Sequence, residues 1–115
     1  MINGMHLTPI GDSNVLLEPG EGLDPSNTDD YMDMVARFMQ QHRIRRLIYD
    51  LGNVRMIDQV YYAWLVKLHS LCKVSSVEMV AVNITPAAAF SLSMIIDGRP
   101  PFACKLDVDR ARGLT

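Results

Sequence analysis

The chain has 115 residues, enough for one compact domain and too few for two of ordinary size. Hydrophobic residues make up 49% and charged residues 21%, the balance of a packed globular protein rather than a disordered one. A formal net charge of −2 argues against nucleic acid, whose phosphates require a concentrated basic surface.

The first residues, Met1 to Pro9, lack the basic start and apolar core of a signal peptide. "MHLTPI" and "NVLLEP" alternate in part and are joined by Gly11-Asp12-Ser13-Asn14, which predicts a hairpin. "GEGLDPSN" is loop chemistry. A first helix is expected from about Thr28 to His42, with Ser26 and Asn27 as natural caps and Asp29, Asp30 and Asp33 loading its first turn. Tyr31, Met34, Val35 and Phe38 give that helix one apolar face. His42, Arg43, Arg45 and Arg46 form the one basic cluster, read as cations at the helix C-terminus.

"RRLIYDL" predicts a strand buried on both faces, as in a parallel sheet covered by helices. Gly52-Asn53 breaks it, and Asp58 is placed to cap a helix running to about Val74, with Tyr61, Trp64, Leu65, Leu68 and Cys72 facing inward. "VEMVAVNI" is the next strand. Thr85 then caps a third helix that carries Pro86 at its first position and ends at Asp97-Gly98. "FACKLDV" is a last strand, with a helical turn from Asp109 to Gly113. A hairpin followed by helix–strand alternation calls for a mixed, mainly parallel sheet of about five strands with about four helices, an α/β fold in one domain over residues 1–115.

Cys72 and Cys104 both lie in apolar segments, where free cysteine acts as a small hydrophobe, and a reducing cytoplasm fits them. Met32, Met34, Met39, Met79 and Met94 are expected to fill core space. No apolar run reaches the roughly 20 residues of a membrane span, so no membrane insertion is expected.

Catalytic constellations are missing from the sequence. His6, His42 and His69 lie in separate elements without a second ligand at metal spacing, so no metal and no cofactor are expected. No nucleophile elbow or phosphate-cradling glycine loop occurs. Asp50 and Asp58 flank the strand–helix corner and are candidates for paired acid–base work. Each also has a structural role open to it, Asp50 binding loop N–H groups and Asp58 capping the helix.

The corner itself carries a resemblance. "LIYDLGNVRMIDQ" resembles the central signature of STAS domains, the sulfate-transporter and anti-sigma-factor-antagonist family, through Asp50, Leu51, Val54, Ile57 and Asp58. "VAVNITPAAAFSL" looks like the family's next strand and proline-led helix, above all in small stressosome-scaffold and anti-sigma-factor-antagonist members. The hairpin, Leu23-Asp24 and "LDVDRA" also fit, in order. The resemblance implies a STAS-like fold and a non-catalytic signalling role. It also implies a docking surface that would comprise Leu23, Asp24, Asn53, Arg55, Met56, Asp58, Gln59, Val60 and Tyr62. Tyr61 shares the inward stripe with Trp64, so Tyr62 is expected to be the exposed tyrosine of the pair.

In this family the residue after the Ile-Asp pair is usually a Ser or Thr phosphorylated by a serine kinase, adding about −1.5 to −2 charges. Here that phosphoacceptor-equivalent position is Gln59, which is neutral and has no hydroxyl. The partners implied are an anti-sigma factor or serine kinase-like protein, or other STAS proteins, with a homodimer among the allowed arrangements. Three readings follow: an anti-sigma-factor antagonist-like regulator; a scaffold subunit of a stressosome-like assembly or partner of a transport or lipid-trafficking complex; and a small-ligand or nucleotide sensor using the helix from Ala87 to Ser93.

Overall fold

β1 (Met5–Gly11) and β2 (Asn14–Pro19) pair antiparallel, with Leu7 opposite Leu17 and Thr8 opposite Leu16. Asp12 and Ser13 between them take φ values of 55° and 63°, the primed-turn geometry whose twist suits a two-residue hairpin. Asn14 fastens the turn by donating Nδ2 to the Gly11 carbonyl at 3.0 Å. The structure, a computed structural model, describes residues 4–113; the outermost residues of the expected 1–115 domain lie outside them.

After the hairpin come α1 (Asp29–Gln41), β3 (Arg46–Asp50), α2 (Gln59–Val74), β4 (Glu78–Val82), α3 (Pro86–Ser93), β5 (Ala103–Lys105) and α4 (Val108–Ala111). The sheet runs β1-β2-β3-β4-β5, antiparallel only at the hairpin and parallel thereafter. The expected mixed α/β architecture of five strands and four helices is the one observed.

Because strand side chains alternate between faces, β3 and β4 feed two cores. Val15, Leu17, Leu47, Tyr49, Met79 and Ala81 point into the larger core with residues of α1, α2 and α3. Ile48, Val80 and Val82 point the other way, where Ala111 of α4 packs over them. This two-sided burial explains why β3 and β4 read as continuous apolar runs.

Several local expectations are corrected. The N-cap of α1 is Thr28, which makes no side-chain capping bond. Ser26 belongs instead to a turn before the helix, in which Asp24 Oδ1 accepts from both its N–H (3.0 Å) and its hydroxyl (2.6 Å), two residues ahead of the N-cap. The basic cluster lies beyond the last turn of α1, and Arg46 pairs with Glu78 across β3 and β4 at 2.7 Å. α3 ends at Ser93 rather than at Asp97-Gly98: the Ile95 and Ile96 N–H groups both close onto the Leu92 carbonyl, a tightening turn that stops the helix. β5 is only three residues long and exposed throughout, which puts Cys104 on the surface while Cys72 stays buried. Met39 and Met79 are core residues, Met32 and Met34 are half-buried, and Met94 is exposed.

Candidate functional site: the corner between β3 and α2

Residues 51–58 carry the chain from Asp50 at the end of β3 to Gln59, the first residue of α2. Asp50 Oδ1 shapes the exit, accepting from the Gly52 N–H at 2.8 Å and from Asn83 Nδ2 at 3.2 Å. Thr85 Oγ1 donates to the Val54 carbonyl at 3.4 Å. The Ile57 N–H donates to Ser91 Oγ at 2.8 Å, and that hydroxyl donates onward to the Ala88 carbonyl at 2.8 Å. The Ile57 side chain is fully buried, anchoring the segment between its exposed neighbours Met56 and Asp58. Asp58 Oδ1 then accepts from the Tyr61 N–H at 2.8 Å and caps α2. Both candidate carboxylates are thus engaged by backbone N–H groups, as their structural reading expected.

Beneath the corner runs a chain of hydroxyls. Trp64 Nε1 donates to the Tyr49 hydroxyl at 2.9 Å, and the Tyr49 and Tyr61 hydroxyls lie 2.6 Å apart. Tyr49 is completely buried, so an unused proton on it would carry a desolvation cost. It therefore donates to Tyr61, whose own proton is left for the solvent side. Burial pushes the Tyr61 hydroxyl up to about 12, and burial, then the neighbouring Tyr61, raises Tyr49 well above the usual tyrosine value. Both rings stay neutral at physiological pH.

A loop from β2 faces the corner. Gly4 has φ +98°, and a Cβ there would overlap the backbone of Leu23, so the close approach of these segments requires glycine. Gly20 donates its N–H to the Gly4 carbonyl at 2.7 Å. The Asp24 N–H donates to the Tyr31 hydroxyl at 3.0 Å, tying the loop to α1. Tyr31 also stands 5.8 Å from Trp64 ring to ring, joining loop, helix and hydroxyl chain. Sequence periodicity marked Tyr31 only as a core residue.

Three hollows meet around the first turn of α2. A cleft of about 730 Å³ has Glu21 and Leu23 on one wall, Asn53 and Arg55 on the other, and Tyr61 between them. A smaller one of about 340 Å³ lies between Ser26, Thr28, Gln59, Val60 and Lys67. The third, about 590 Å³ and mainly apolar, is bounded by Arg55, Met56 and Gln59 on the corner and by Ala87, Phe90 and Met94 on α3. Arg55 borders the first and third, and Gln59 the second and third.

Leu23, Asn53, Arg55, Met56, Asp58, Gln59 and Val60 are thereby gathered on one surface. Asp24 is exposed at its margin, with its carboxylate turned onto Ser26. Tyr62 departs from expectation: like Tyr61 it is half-buried against the main core, and the large apolar side chains exposed along residues 51–62 are Met56 and Val60. Phe90 and Met94 were missed as members of this surface. The available signal was that "PAAAFSLS" is apolar around its whole circumference, so a helix covered on one side must show apolar groups on the other. Among the described residues no group of three or more His, Cys, Asp or Glu is placed to hold a metal ion, and no helix is long and apolar enough to cross a membrane.

The STAS domain family model matches residues 7–96. The structure is similar to a serine-to-glutamate variant of RsbS from Moorella thermoacetica, at 18% identity and TM-score 0.74 over 96% of each chain. It is also similar to a chain from the molecular architecture of the stressosome, a signal integration and transduction hub, at 16% identity and TM-score 0.78 over 95% of this chain and 97% of that one. The NMR structure of the protein TM1081 matches at 18% identity and TM-score 0.76, over 91% and 83%. No curated protein matches the chain in sequence at a significant level. The likenesses in structure establish the fold, and the family model, reaching from β1 through α3 and its following turn, establishes the kinship: the chain belongs to the STAS domain family.

Proposed function

We propose that this STAS domain is a non-catalytic protein-binding module in signalling, an anti-sigma-factor antagonist-like regulator whose docking surface is not switched by phosphorylation at the start of α2. The observation that carries this reading is Gln59. It is exposed, it is the first residue of α2, and it follows directly on the capping Asp58. The family resemblance implies that an alcohol usually stands at that point; an amide offers no hydroxyl to phosphorylate and stays neutral, so it imitates the unmodified state. Leu23, Asn53, Arg55, Met56, Asp58 and Val60 surround it as contact residues for an anti-sigma factor or serine kinase-like partner; Asp24 is exposed next to Leu23, and Tyr62 is half-buried against the core. The engagement of Asp50 and Asp58 by backbone N–H groups supports binding over acid–base chemistry.

Incubation with the cognate serine kinase and labelled ATP tests the reading. The wild-type chain is expected to take no label, and the Gln59→Ser variant to take it stoichiometrically at residue 59. Stoichiometric labelling of the wild type at a Ser or Thr near the corner would overturn it.

A second reading, a scaffold subunit that assembles with other STAS proteins, is favoured by the likeness to RsbS and to the stressosome chain over nearly the whole length. Light scattering on the purified chain, alone and mixed with a STAS protein from the same cell, separates the two: a high-mass assembly supports the scaffold, a persistent monomer or dimer the regulator.

A further inference from the structure

The apolar hollow between the corner and α3 contains a chemistry that docking alone does not use. Two of the groups lining it are thioethers, Met56 from the corner and Met94 from the end of α3, and Phe90 shares the same lining. Met56 is 67% exposed and Met94 71%, whereas Met5, Met39 and Met79 are 3%, 4% and 2% exposed. The corner and α3 on either side of the hollow are tied by hydrogen bonds that do not involve these side chains, since Ser91 Oγ joins the Ile57 N–H to the Ala88 carbonyl. A change at the sulfurs therefore alters what the hollow presents without removing a core contact.

We propose that Met56 and Met94 form a paired oxidation site, through which peroxide converts the hollow from an apolar to a polar surface and reductase restores it. In the forward step a thioether sulfur attacks one oxygen of hydrogen peroxide. The O–O bond breaks, an S–O bond forms, the sulfur loses two electrons, and the other oxygen leaves as water after taking a proton. In the return step a methionine sulfoxide reductase oxidises a dithiol to a disulfide; its two electrons reduce the sulfur, the S–O bond breaks, and the oxygen leaves as water with the two thiol protons. Each sulfoxide places a strong acceptor where a polarizable apolar group stood, which disfavours an apolar partner group. The consequence for docking rests on the function proposed above, but the modification itself does not.

Peptide mapping by mass spectrometry after graded peroxide tests the site on the intact chain. Met56 and Met94 are expected to oxidise at least about tenfold faster than Met39 and Met79, which react only when the structure opens. Comparable rates for the buried and exposed pairs would overturn the site. A hydrophobic dye, 8-anilinonaphthalene-1-sulfonate, reads the surface. Its fluorescence is expected to fall on oxidation, to recover with the two sulfoxide reductases and thiol, and to ignore peroxide in the Met56→Leu/Met94→Leu double variant. That variant keeps the exposed Cys104 and the half-buried Met32 and Met34, so a peroxide response persisting in it would place the effect outside the hollow and refute the switch. None of these readouts depends on Gln59 or on a kinase, so they fail or succeed separately from the proposed function.

Discussion

The chain leaves β3 through residues 51–58 and leaves β4 through residues 83–85, and both passages end on a side-chain cap. Asp58 Oδ1 receives the Tyr61 N–H at 2.8 Å; Thr85 Oγ1 receives the Ala88 N–H at 3.1 Å. The parallel register that sets Asp50 beside Val82 brings the two passages together. From there they diverge. The shorter one and its helix supply struts: Asn83 to Asp50, Thr85 to Val54 and Ser91 to Ile57. Asn83 even adopts a left-handed backbone (φ 61°), a conformation asparagine tolerates better than most residues. The longer passage spends its residues on display, with Asn53, Arg55 and Met56 exposed and only Leu51 and Ile57 fully buried. The corner between β3 and α2 is thus braced by side chains borrowed from the next corner along.

The comparison can be broken most forcefully at Ile57. If the display loop hangs on this anchor, Ile57→Ala should cost about 3 kcal/mol in urea denaturation, a value typical of a fully buried aliphatic side chain cut to alanine. A loss below about 1 kcal/mol would mean that the loop is held by its struts alone.

Alkaline pH tests the hydroxyl chain below the same corner. The folded state holds the Tyr61 proton up to about pH 12, while the unfolded chain releases it near the ordinary tyrosine value of 10.0. The stabilisation is complete below the unfolded value and is lost as pH rises through the folded one, so unfolding is favoured progressively from about pH 10 to 12, by about 2 kcal/mol at the top of that range. Burial of the Cys72 thiol, also raised to about 12, acts in the same direction from lower pH. Tyr61→Phe should flatten the alkaline limb of the melting curve; an unchanged limb would assign the whole effect to Cys72 and Tyr49.

The subtlest test addresses one strut. Ser91→Ala leaves the Ile57 N–H without its partner and should cost about 1–2 kcal/mol. Amide exchange would sharpen it: the Ile57 amide should exchange faster in the variant, while the Ala88 amide, which Thr85 caps, should not.

Much of this fold could be read from local chemistry. The hairpin, the Asp58 cap and the Thr85-Pro86 opening depend on residues within one turn of each other, and their expected positions agree with the structure. The Ser26 and Asn27 caps failed because both residues belong to a turn closed on Asp24, whose carboxylate takes the Ser26 hydroxyl and whose carbonyl takes the Asn27 N–H, so the helix begins only after Thr28. The exposure of Cys104 depends on β5 being the last, short edge of the sheet, a fact of topology that apolar neighbours cannot reveal. The site was half legible. Its linear part, from Asn53 to Gln59, lay in the signature itself. Its union with Phe90 and Met94 requires the register of β3 on β4, which sequence spacing does not carry.

The unbroken strand order has a kinetic consequence. Every parallel pairing joins strands separated by a single helix, so each new strand adds beside the one just made, and no position in the sheet waits for a distant segment. Such short-range wiring lowers the loop-closure entropy that slows parallel sheets. It also suits assembly during synthesis, strand by strand from the ribosome. Only α4 reaches back, sealing Ile48, Val80 and Val82 last, so a nascent chain stopped before it would leave that apolar face open to chaperones.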